Sequence, residues 1–146
     1  MVRKTLILLG IVFLQFNLCM VKAQNQNLVL VLDIKTNKII KTTPPNPNVQ
    51  LETVKIMKAI DGVVKKINPI PNKGLMVKIP LEPSFHLENK WVNALIDEVI
   101  IIIPENEMPY LLLFDDENNS YFCTFDTKID MLINTLNIPS TSEDST

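Results

Sequence analysis

The sequence predicts an α+β domain. Its core is a mostly antiparallel sheet of about five to seven strands, with an amphipathic helix near 53–67 and a short C-terminal helix near 127–137 on its faces. Three observations carry this reading. Val99–Ile103, Tyr110–Phe114 and Tyr121–Phe125 are apolar, β-prone runs separated by short acidic or Asn-rich turns, which makes them the centre of the sheet. Thr53, Ile56, Met57, Ile60, Val63, Val64 and Ile67 recur at the spacing of one helical face, opposite Lys55, Lys58, Asp61, Lys65 and Lys66. Ile129, Leu132, Ile133 and Leu136 repeat that pattern before Pro139.

The chain opens with the three parts of a secretory leader. Arg3 and Lys4 precede an apolar run from Thr5 to Phe16, and Val21-Lys22-Ala23 offers a cleavage site before Gln24. Gln15 and Asn17 leave the run shorter than the ~20 apolar residues of a membrane span. Residues 1–23 are therefore expected to be a signal peptide cleaved after Ala23, and the protein to be secreted or extracytoplasmic. The alternative is a membrane anchor over residues 5–21. Lipidation at Cys19 fits poorly, because Leu18 stands where a small residue is wanted. Residues 24–139 then form a single domain, and 140–146 a polar tail.

Without the leader, 11 basic residues face 16 acidic ones, a net charge of −5. No basic stripe is present for a phosphate backbone, so nucleic acid is not an expected partner. Only Cys123 remains, which excludes an intramolecular disulfide. Strand alternation puts Cys123 on one face with Tyr121 and Phe125, a buried position.

The elements follow in order. Leu28–Leu32 and Ile39-Ile40 read as a hairpin around Asp33–Lys38. Asp33 can accept from amides ahead of it, and Asn37 tolerates the left-handed conformation. Pro44-Pro45-Asn46-Pro47 ends the hairpin and stiffens the link to the helix. Asp61-Gly62 competes with that helix as a tight turn. Leu75, Val77, Ile79 and Leu81 alternate with Met76, Lys78 and Pro80 as a strand, and Pro80 and Pro83 suggest an edge position or an early end to pairing. Ser84–Leu87 reads as a short further strand, and Asn89–Glu98 as a strand or bent strand pair, since a helix there would meet Val99 without a loop. Both faces of the 99–114 runs are apolar, so both require cover, from the helices or from a twofold partner. Thr127 and Asp130 suit a capping box for the last helix.

Candidate chemistry is sparse. Thiol catalysis would need Cys123 beside His86, the only histidine, and serine hydrolysis would need His86 with Ser84 or Ser120. No G-x-S-x-G is present, and glycine is too scarce for a phosphate-cradling loop. Asp115, Glu117 and Asn119 have the every-other-residue spacing of an EF-hand loop, with Glu105 and Glu107 nearby as further oxygen ligands. Ser120, however, replaces the expected glycine. Read as an ordinary hairpin tip, the same residues simply favour turn backbone. Asn118-Asn119-Ser120 is a glycosylation acceptor. The expectation is an exported, non-catalytic binding or structural module without a cofactor, acting on a protein partner or as a homodimer. Its alternative is a small secreted hydrolase or Ca²⁺-dependent protein using the 115–119 loop or His86 and Cys123.

Overall fold

A computed structural model of the chain describes residues 27–139. The expected leader, its anchor alternative and the polar tail lie outside them. The strands are β1 (Val29–Asp33), β2 (Lys38–Thr43), β3 (Ile60–Val63), β4 (Gly74–Glu88), β5 (Asn93–Pro104), β6 (Tyr110–Phe114) and β7 (Ser120–Phe125); the helices are α1 (Pro47–Lys58) and α2 (Asp130–Thr135). All seven strands join one antiparallel sheet in the order β2-β1-β4-β5-β6-β7-β3. The α+β class, the strand number and the central place of Val99–Phe125 are as the sequence predicts. No helix of the described residues is long and apolar enough to cross a membrane.

The β1–β2 hairpin closes through the residues expected to close it. Asp33 Oδ1 accepts from Thr36 N at 3.1 Å, and Asn37 sits at φ 52. The proline-rich link then does more than stiffen. Asn46 is the N-cap of α1, its side chain accepting from Val49 N at 3.0 Å, and Pro47 follows in the first turn, where its missing N–H leaves no bond unmade.

The helix expected over 53–67 is thus displaced to 47–58. Its buried stripe is Val49, Thr53, Ile56 and Met57. Beyond Ala59 the chain becomes β3, neither helix nor tight turn, because the outer edge of β7 offers it a ladder: Ile60 pairs with Phe125, Gly62 with Thr124 and Val63 with Cys123. A Cβ on Gly62 would meet Thr124 Oγ1 at 2.9 Å, and that hydroxyl donates to Asp61 Oδ1 at 2.7 Å. Of the residues that continued the helical pattern, Ile60 is buried but Val63 is 43% and Ile67 99% exposed.

β4 is interior, between β1 and β5, which corrects the edge expectation. The prolines still mark an end to pairing on one side. β1 reaches only to Lys78, so Pro80 lies just past the neighbour that would have needed its N–H. Ser84–Leu87 belongs to the same long strand, and its register to β5 slips between Pro80 and Phe85. Asn89 Oδ1 closes the β4–β5 turn by accepting from Trp91 N and Val92 N, both at 2.8 Å. The ambiguous 89–98 segment is therefore a turn followed by strand.

Both helices lie on one face, packed with a single core that includes Val31, Val77, Ile101, Leu111, Leu113 and Cys123. This inner face is the cover expected for the sheet, but the helices do not share themselves between its two sides. The outer face carries two apolar rungs, Ile39–Leu32–Met76–Ile102–Tyr110 and Leu30–Lys78–Ile100–Leu112–Phe122, the second interrupted by Lys78. The segment linking β3 to β4 crosses it, and Tyr110 donates its hydroxyl to Pro69 O. Ile102, Tyr110 and Leu112 are buried there; Met76, Ile100, Phe114 and Phe122 are half-buried. For α2, Ile129 holds the N-cap position without a side-chain bond, so the Thr127 capping box is not formed. Leu132 and Leu136 bury the expected stripe.

Candidate functional site

The catalytic candidates are kept apart. Cys123 pairs in register with Leu111 on the inner face and is fully buried, which pushes its thiol up to about 11. His86 lies on β4 between Phe85 and Leu87, both of which pack into the inner core, so its ring projects to the other side. There it is exposed and within 2.9 Å of Asn93 Oδ1. The sheet separates thiol from imidazole, and the Cys–His pairing considered from sequence is not assembled. Ser84 shares the outer face with His86, and Ser120 sits opposite Phe114 at the start of β7. The described contacts of His86 include neither hydroxyl.

The acidic turn is an internally bonded unit. Asp115 Oδ1 accepts from Glu117 N at 2.9 Å and Asn119 N at 2.8 Å; its Oδ2 accepts from Asn119 Nδ2 at 2.9 Å and Tyr121 Oη at 3.0 Å. These bonds, the Asn119 side chain first, hold the Asp115 carboxyl below its ordinary range and the Tyr121 phenol above its own. Asn118 takes φ 62 at the tip, exposed. Asp115, Glu117 and Asn119 are thus brought together as a turn whose central carboxylate is already occupied by four donors.

Glu105 and Glu107, expected to help ligate, are at the other end of β6. Five residues of strand put them about 17 Å from Asp115, and Glu107 pairs with Lys66 instead. Among the described residues, no three His, Cys, Asp or Glu side chains gather as a metal site.

What the sequence did not reveal is a cleft beside this turn. β5 changes face along its length: Ile96 and Val99, three residues apart, are both fully buried against the inner core. The slip lies opposite the register break at Pro80–Phe85. It leaves Leu95 52% exposed and directs Asp97 outward. A cleft of about 330 Å³ opens there, between β5 and the β6–β7 turn, walled by Leu95, Phe114, Ser84, Asp97, Asp115 and Asp116. Glu98 at its margin pairs with Lys78 at 3.0 Å. The alternation Asn93-Ala-Leu-Ile-Asp97 was the available signal, but a one-residue change of phase is invisible without the partner strand.

A second depression, more apolar, lies between α1 and β4. Leu51, Val54, Pro83 and Phe85 line it, and Gln50 fixes its floor by donating from Nε2 to Pro80 O at 2.6 Å and accepting from Glu82 N at 2.9 Å. Lys58 Nζ stands 5.7 Å from the Phe85 ring centre. No protein-family model, curated protein or solved structure matches this chain.

Proposed function

We propose that the chain is an exported, non-catalytic binding module that engages a protein partner through the outer face of its sheet, at the cleft beside β5. The observation that carries this reading is the exposed Leu95 on a stretch of β5 that β6 leaves open on one side, walled by Phe114 and the acidic turn. Apolar surface left open beside an unsatisfied sheet edge is what a binding surface provides. The leader pattern of residues 1–23 supports export, and the placement of Cys123 and His86 on opposite faces of the sheet speaks against thiol catalysis.

The reading is tested in two steps. Mass spectrometry of the protein from its host should find a chain beginning at Gln24; an intact N-terminus would overturn export by cleavage. A pull-down from the same compartment should retain a partner that Leu95→Lys releases, with the melting temperature unchanged. Retention unaffected by Leu95→Lys, or hydrolytic turnover abolished by His86→Ala, would overturn the binding role.

A further inference from the structure

We propose that the open Asn93–Glu98 edge of β5 takes up an extended, lysine- or arginine-bearing segment of another protein as an added strand. The inference rests on the binding reading above and names the partner's chemistry at the same cleft. β5 runs for 12 residues, but β6 pairs only with Val99–Ile102. Along Asn93–Ile96 the strand is bonded to β4 on one side, and among the described residues no strand pairs with the other. Such an edge presents a row of backbone donors and acceptors to any extended chain that can reach it.

The surroundings select the kind of chain. Leu95 and half-buried Phe114 form an apolar wall against which the aliphatic stem of a long basic side chain can lie. Asp97, Asp115 and Asp116 stand around that wall, and none has a cationic partner among the described residues; the only ion pair at the cleft is Glu98 with Lys78. A basic segment gains from this field, whereas an acidic one is repelled by it. The remaining edges offer less. β2 carries Lys38, Lys41 and a bulge opposite Val31–Leu32, and β3 is only four residues long. Both are features that blunt strand addition.

The experiment uses ¹⁵N-labelled protein in the form its host produces, titrated with three synthetic peptides. One alternates Lys with Val, one alternates Glu with Val, and the third is the Lys/Val peptide with alternate backbone nitrogens methylated. The Lys/Val peptide should shift resonances of residues 93–98 and 114–118 and bind more weakly as salt rises. The Glu/Val and methylated peptides should not bind. Asp97→Lys combined with Asp116→Lys should weaken the Lys/Val peptide about tenfold or more while leaving the thermal melt in place.

Equal binding of the Glu/Val peptide, shifts confined to another surface, or no binding at all would each overturn the inference. If the charge-reversed variant still retains the partner captured by the wild type, strand addition at this edge fails while the binding reading stands. If the wild type retains no partner but takes the Lys/Val peptide at 93–98, the edge chemistry stands and the broader reading fails.

Discussion

Cys123 shows how one position decides between chemistry and packing. Its thiol is raised from 9.0 to about 11 because the thiolate would have to sit beside Leu111 in the apolar inner core without solvent. Near neutral pH both the native and unfolded chains keep the proton, so the shift is silent. Between pH 9 and 11 the unfolded chain releases a proton that the native chain retains, and stability falls as pH rises. Urea titrations across this window should show a steeper alkaline loss for the wild type than for Cys123→Ala. A thiol reagent should label Cys123 only after unfolding.

Asp115 runs the other way. Its carboxylate is favoured by the turn, so the stability it contributes is present above the unfolded value of about 3.9 and is lost as pH falls through the lower native one. Asp115→Asn should flatten that part of the acid limb, as followed by circular dichroism during acid titration. Both environments were partly legible. The alternation around Tyr121 and Phe125 indicated a buried thiol, and the Asp and Asn spacing indicated a turn. Neither pattern could reveal that four donors converge on one carboxylate, which requires the turn to be closed.

At the scale of elements, α1 and β3 show where a helical period misleads. Ile60, Val63, Val64 and Ile67 extend the stripe of Ile56 and Met57 in sequence, but periodicity records spacing and not hydrogen-bond supply. The free edge of β7 supplies that ladder, and the chain changes conformation after Ala59 to use it. The helix start was legible in Asn46-Pro47, a cap followed by a first-turn proline, yet a run of three prolines in four residues reads first as a rigid link. The strand character of β4 at Leu75–Leu81 and of β5 at Val99–Ile103 was legible. Their shared slip was not, because bulges belong to pairs of strands.

Gly74 gives this scale its prediction. It opens β4 at φ 128, where a Cβ would run into Ile103 O and the Pro104 α-carbon. Gly74→Ala should cost more than about 1 kcal/mol, since both the conformation and the space are denied to a side chain. The midpoint of urea unfolding measures it. Gly62 has an ordinary backbone and only a hydroxyl in the way, so Gly62→Ala should cost less.

For the whole molecule, the sheet has one well-covered face and one partly covered face. The apolar character of both sides of Val99–Phe114 was plain in the sequence, and the need for cover followed from it. Which element would supply the cover was not readable, because α1 and α2 have equally suitable apolar stripes for either side. The structure puts both on the inner face and leaves the outer face to the chain between β3 and β4, with Met76, Ile100 and Phe122 half-buried. The cleft beside β5 belongs to this unevenly covered side.

The pairing of β3 with β7 also has a consequence in time. Ile60 finds Phe125, and Val63 finds Cys123, across some 60 residues of intervening chain. Every strand between β4 and β7 can pair with its predecessor as it emerges, but β3 must wait for the last strand. Closing so long a loop costs entropy before any contact returns it, which slows completion of the sheet. A chain ending at Asn119 should therefore fail to show the cooperative unfolding of the full domain, by circular dichroism against urea. In the export proposed above, the sheet would lack its β3 edge until the last strand has crossed the membrane.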